Sequence, residues 1–412
     1  MEKFYDKHRA TRLVTTGLAA ALSLWSANPA AADTVVDCTR NPEALHAALA
    51  SAWPGDTLQI AGRCRGTYTL ETSLTLIGNG SAVIDGKGKG PVLTIVAGVR
   101  VILDQLVVTG GASVAPTAVG GIANSGDLQV IRSTIIGNAA TGGAVATGGI
   151  HSGPGATASL LLSSSAVVDN RATVVTSGPA SATGGVRTEG TLTLSKTEVR
   201  GNSAFVRSAV ANRAFGAMAI GAGQGFVYGA VIQDNTARAE HTGTTGSGLV
   251  AGAIAGITHL PSPDELVIGK TIIQGNRAVA VSVVGSGAVG GLLTRITTVT
   301  GTEVIGNTAE AGTFSVGGVV NHDAPMVFEH GSIQGNVASA TESGGLAAGG
   351  MVTGYLGPAS TALIMSSVVG NHASGADSVG GLYQVTPNGS YMLEKSKVDG
   401  NTPFDCNFAC QP

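Results

Sequence analysis

The chain lacks most of what an ordinary globular core is built from. Only 4% of its 412 residues are Phe, Trp or Tyr and 12% are charged, against 62 glycines. A core of this size normally fills space with aromatic rings, so small residues with Val, Ile and Leu imply a thin core and tight turns. The formal net charge is −3, and without the first 32 residues the chain holds 19 basic against 24 acidic side chains. That balance excludes the basic footprint of a nucleic-acid-binding protein. No cysteine lies between Cys64 and Cys406, which leaves the middle of the chain without staples. No apolar run after residue 32 approaches the ~20 residues of a spanning helix, so no transmembrane segment is expected in the mature chain. Gly-x-Ser-x-Gly, a phosphate-cradling loop and His/Cys ligand spacing are all missing, and neither metal nor cofactor is expected. The Thr residues keep no single register, which argues against an ice-binding array.

What is present is one short motif, aliphatic-x-Gly/Asp-Asn. It closes at Asn138, Asn170, Asn202, Asn235, Asn276, Asn307, Asn336, Asn371 and Asn401, at intervals of 32, 32, 33, 41, 31, 29, 35 and 30 residues. Ala follows two residues later in eight of the nine copies, from Ala140 to Ala373, and Pro403 takes its place in the ninth. A motif at near-constant spacing means stacked units that bury their faces against one another. Asn tolerates a left-handed turn conformation, and its amide can bond to the next Asn above in a ladder. A second marker, Gly-Gly-aliphatic, begins at Gly120-Gly121-Ile122 and recurs to Gly380-Gly381-Leu382, degrading between Asn202 and Asn276. One unit is then a Gly-Gly strand, a polar turn, an alternating strand, the Asn turn and a variable Ala/Ser/Thr-rich link expected to be a loop (for example Ser203 to Ser208). Thr258 to Glu265 forms a longer insert.

The ends differ from the middle. Residues 1–32 have a basic start, an apolar run from Leu13 to Trp25 and Ala30-Ala31-Ala32, the pattern of a secretion signal. Cys38, Cys64, Cys406 and Cys410 are even in number, so an oxidising, extracellular or cell-surface setting with disulfides is expected. Three pairings are possible, of which Cys38–Cys64 with Cys406–Cys410 is the local one. Residues 41–52 suit a helix that caps the first unit, with Asn41 as N-cap and Pro42 at its first position. Residues 57–110 form short leading coils, and 111–405 the Asn-marked coils of one domain spanning 33–412.

With these markers the chain resembles the right-handed parallel β-helix of the pectate-lyase-like superfamily. Its Gly-Gly-aliphatic and aliphatic-x-x-Asn pairs are also similar to repeats of polymorphic outer-membrane proteins of the adhesin type. The resemblance covers residues 35 to 405. It implies an all-β solenoid of roughly 12 coils with a short N-terminal capping helix. Enzymes of that superfamily act on acidic polysaccharides, but none of their catalytic motifs occurs here, so no catalytic residue carries over.

Aligning the Gly-Gly strands gives the candidate constellation. The third residue after each Gly-Gly is small or polar: Asn124, Ser152, Thr188, Thr294, Asn321, Thr353 and Gln384. Flanking positions supply His151, Arg187, Glu189, Arg295, His322, Asp323, Tyr355 and Tyr383. Arg295 and His322-Asp323 fall one coil apart, close enough to share a ligand or to move a proton beside a sugar carboxylate. The catalytic candidates are therefore Arg295, His322, Asp323 and Tyr355. The expectation is a secreted scaffold that contacts a polysaccharide or cell-surface ligand without catalysis. The alternatives are a polysaccharide lyase or glycoside hydrolase with a non-standard site there, and a purely structural rod.

Overall fold

The computed structural model describes residues 33–410, apart from 154–157, 222, 245–249, 260–264, 296 and 356. The expected secretion signal at 1–32 and most of the 258–265 insert lie outside the described residues.

Asp127–Ile131, Thr134–Ile136, Ala139–Thr147 and Ile150–Ser152 make up one coil. Each strand pairs in parallel with its equivalent one coil on, as Asp127 to Ile131 do with Ser159 to Ser163. Repeated along the chain, this builds four sheets of 13, 12, 16 and 11 strands, called here the first to fourth in the order a coil visits them. The protein is a parallel β-helix. At ~4.8 Å per step, the first sheet is about 58 Å long.

The first, second and fourth sheets enclose the main core. Alternation in the first sheet turns Leu128 and Val130 inward, where they meet Ile135 and Ile150. The Gly-Gly marker has a steric cause. A Cβ on Gly120 would lie 2.6 Å from two backbone oxygens, and one on Gly121 2.4 Å from the carbonyl of Gly149. Only glycine lets successive coils approach so closely at this corner.

The Ala/Ser/Thr-rich links, expected to be loops, are instead strands of the third sheet. Ser203–Ser208 pairs along its whole length with Thr236–His241. In the marked coils from Asn138 to Asn371 the chain runs out along one column and back along a second. The two columns meet across a separate core made almost wholly of alanine, including Ala140, Ala172, Ala204, Ala182, Ala214 and Ala253. The Ala two residues after each Asn is thus the filling of a thin two-layer fin. Ala is depleted in strands and these links show no clear alternation, so pairing between coils is what makes them strands. The leading coils have no fin, which starts at Ala112–Val119.

The Asn ladder is continuous and buried. Asn170 Oδ1 accepts from both the backbone N–H and the Nδ2 of Asn138 at 3.0 Å, and Asn170 Nδ2 donates to Ile135 O at 2.9 Å. The pattern repeats to Asn401. Gly111 N–H donates to Asn138 Oδ1 at one end, and Asp405 Oδ1 accepts from Asn401 Nδ2 at 2.8 Å at the other. The left-handed residue is not the Asn but its predecessor, for instance Gly137 at φ 66° and Asp169 at φ 52°. The ladder Asn residues are not among the left-handed positions, and their amides point inward.

Among the described residues one helix forms, Ala44–Ser51, later than expected. Asn41 Oδ1 accepts from Glu43 N–H at 3.1 Å in a turn ahead of it, so Asn41 and Pro42 precede the helix rather than open it. Leu45 is fully buried against the first coils, closing that end of the core. Cys38 is bonded to Cys64 and Cys406 to Cys410. Among the described residues no helix is long and apolar enough to cross a membrane.

Candidate functional site

Each strand of the fourth sheet has three residues, and their directions sort the candidates. The first and third point into the core. Asn124, Ser152, Thr188, Thr294, Asn321 and Thr353 are therefore interior residues that satisfy the turn into the first sheet. Asn124 Nδ2 donates to Gly126 O at 3.2 Å and Ser152 Oγ at 2.9 Å, and Thr353 and Thr361 hydroxyls lie 2.7 Å apart. Gln384, in the last such strand, is only half-buried.

The middle residue points outward, into the angle between the fourth sheet and the fin. The register stacks His151, Arg187, Ala219, Thr258, Leu293, Val320, Val352 and Tyr383 along that angle. Its early half is polar. Arg187 Nη2 lies 3.0 Å from Glu189 Oε1, with His151 Nε2 3.8 Å from the same oxygen. Desolvation holds the His151 imidazole below its usual range, helped by the Arg187 charge and opposed by Glu189. The later half is apolar: Leu293, Val320 and Val352 pack on Val289, Phe314 and Val316 of the fin. Hydrophobic side chains fill the angle there, so it is a seam rather than a cleft.

Arg295, His322 and Asp323 converge on the rim of this seam. Arg295 Nε is 2.6 Å and His322 Nδ1 3.3 Å from Asp323 Oδ1. Burial pushes the Asp323 carboxyl up, but hydrogen bonds and charge from Arg295 and His322 outweigh it and hold the acid below its usual range. Tyr355 does not join them. Its ring stacks on Phe314 with centroids 3.7 Å apart, and burial raises its phenol. The Tyr383 hydroxyl donates to Asp377 on the fin. Of the 258–265 insert, Thr258 and His259 belong to the fourth sheet and Glu265 accepts from Thr298 Oγ1 at 2.8 Å. No group of three or more His, Cys, Asp or Glu positioned to hold a metal ion occurs among the described residues.

Two features escaped the sequence reading. A hydroxyl ladder runs down the corner between the first and second sheets, where Ser165 Oγ accepts from Ser133 N–H and Ser396 Oγ from Ser366 N–H, both at 3.1 Å. Its signal was Ser or Thr five residues before the ladder Asn in seven of nine coils, with Ala230 and Gly331 as exceptions. The other is a pair of exposed rings, Phe226 and Tyr228, on the outer face of the first sheet.

No protein-family profile and no curated protein matches this chain. Among solved structures, the crystal structure of pectate lyase Pel9A is similar at 12% identity and a TM-score of 0.34, over 87% of this chain and 78% of that one. The β-helix assignment stands on the sheet pairing itself.

Proposed function

We propose that the protein is a secreted scaffold that binds carbohydrate at a surface or in an extracellular matrix and does not turn it over. The observation that supports this reading is the state of the flank's acid and base groups. Asp323 is occupied by Arg295 and His322, Glu189 by Arg187, and Tyr383 by Asp377. A general acid or base needs an accessible group with a pKa near the working pH; Asp323 is instead pushed away from it. Ion pairs and half-buried rings on a rigid backbone make a preformed surface of hydrogen-bonding groups and apolar faces, the combination that sugars require. Two disulfides at the ends of the stack suit an oxidising compartment.

The test is to incubate the purified chain with uronate and neutral polysaccharides, following unsaturated ends, reducing sugar and heat of binding. Binding without turnover is expected. Turnover that disappears in His322→Ala and Asp323→Ala would overturn the non-catalytic reading in favour of a lyase or hydrolase. Neither binding nor turnover would leave a structural rod.

A further inference from the structure

The corner between the first and second sheets carries one outward residue per coil, held in the left-handed region. Arg132, Ser164, Lys196, Lys270, His330, Met365 and Lys395 lie at φ 45–53° there, and Gly229 and Gly301 hold the same place at φ 62° and 58°. Glycine fits this conformation without strain, whereas a side chain raises its energy. Yet from Arg132 onward every second coil places a basic residue there: Arg132, Lys196, Lys270, His330 and Lys395. Two coils span ~10 Å, about the length of two linked sugars. The carboxylates near this edge are unevenly shared. Asp104 pairs with Arg132, Glu329 lies 3.4 Å from His330, and Glu198 is taken by Arg200 at 2.7 Å. Lys196 and Lys270 make no ion pair among the described residues, and both are exposed.

The coil between those two lysines carries the exposed rings. Phe226 and Tyr228 are 44% and 36% exposed, their planes 7° apart and their centroids 6.1 Å apart. Gly269, one coil on, makes room for this arrangement. A Cβ there would meet the Tyr228 ring at 2.8 Å, so glycine lets the ring lie flat on the sheet. Lys270 Nζ sits 5.5 Å from the centre of the same ring. The result is a flat aromatic platform with the unpaired Lys196 one coil before it and, one coil after, Lys270, whose ammonium is engaged by the Tyr228 ring and hydroxyl but by no carboxylate among the described residues.

We propose that this face binds a linear anionic polysaccharide whose charge falls on alternate sugars. An uncharged sugar lies on Tyr228, with an apolar substituent over Phe226, and the acidic sugars on either side meet Lys196 and Lys270. The proposal rests on the reading of the scaffold as glycan-binding and adds a second contact on another face, separate from the Arg295–Asp323 rim. A flat ring pair suits the apolar face of a sugar, and the cation spacing suits a charge on every second unit rather than on each one.

Calorimetry on the intact chain tests this with three probes: hyaluronan oligosaccharides, charged on alternate sugars; oligogalacturonate, charged on every sugar; and neutral cellodextrins. Hyaluronan is expected to bind tightest and to weaken as salt is raised. Tyr228→Ala is expected to cost about tenfold in affinity. Lys196→Ser with Lys270→Gly, residues that neighbouring coils already carry at this corner, is expected to abolish most of the salt dependence while the circular dichroism stays that of the parent. Val337→Ser, at an exposed position on the fin away from both surfaces, is expected to leave hyaluronan binding unchanged. Hyaluronan binding no tighter than cellodextrin, or platform variants that bind like the parent, would overturn the proposal. If only the His322 and Asp323 variants lose glycan binding, the scaffold reading survives and the platform does not.

Discussion

From Asn138 to Asn371, each ladder asparagine has an amide buried away from water. Asn276 Oδ1 accepts from Asn235 N–H at 3.1 Å and Asn235 Nδ2 at 2.9 Å, while its own Nδ2 donates to Ile232 O and to Asn307 Oδ1. Asn276→Ala therefore removes an acceptor from two donors in a fully buried site. The expected loss is about 3 kcal/mol by urea unfolding, since a buried donor left unmatched costs its full desolvation. Asp405→Ala, at the exposed end of the same ladder, is expected to cost on the order of 1 kcal/mol because water can replace its oxygen. Asp323 makes a second residue-scale prediction. Its pKa is lower folded than unfolded, so the stability it contributes is present above the ordinary carboxylate value and lost as pH falls through the folded value. Asp323→Asn should be less stable than the parent at neutral pH, and the gap should close in acid; a gap that is constant with pH would contradict the ion-pair assignment. The ladder was legible because one residue type recurs unbroken. The hydroxyl ladder beside it was not, because Ser, Thr, Ala and Gly share that position and a hydroxyl alone resembles ordinary turn chemistry.

Elements in this chain are defined more by their neighbours than by their own sequence. Thr191-Leu192-Thr193-Leu194 alternates, and it forms a strand of the first sheet. Ser203–Ser208 carries no such clear signal in isolation and is nonetheless a strand, because it pairs with the coil on each side. The fin adds a packing limit. Ala204 and Ala237 are 3% and 1% exposed between its two layers. Ala237→Leu is expected to destabilise by about 1–3 kcal/mol through overpacking, where the same change at an exposed site would be neutral. Thermal unfolding of Ala237→Leu beside Ala139→Leu, at an exposed fin position, measures this; equal midpoints would mean the two columns are not closely packed. The helix was legible in type but not in its first residue. The Asn41-Pro42 pair fits either a cap or a turn, and Pro42 O is occupied by Arg65 N–H at 2.7 Å, which ties it to the first coil.

At the scale of the whole molecule, the stack makes distant parts of the sequence neighbours. Arg295 meets Asp323, one turn on, and Lys196 is aligned with Lys270, two turns on, only because residues whole turns apart in sequence fall in register. That is why the candidate rim was legible: counting from the Gly-Gly marker gave the right coil-to-coil alignment of Arg295, His322 and Asp323. The direction of Tyr355 was not legible, since it depends on Phe314, which reaches across from the fin. The platform was missed for a similar reason, because the room for Tyr228 is made by Gly269 in another coil. The register can be measured directly. No described cysteine is free, so paired cysteines can be introduced and spin-labelled on the outer face of the first sheet. Gln129 and Thr298 are five coils apart and Gln129 and Ala362 seven, through the pairings at 161, 193, 226, 267 and 327. Electron–electron double resonance should give narrow distributions, with the second distance longer than the first by ~10 Å, two coil steps. A broad distribution, or no increase between the pairs, would contradict the parallel stack on which every site described above depends.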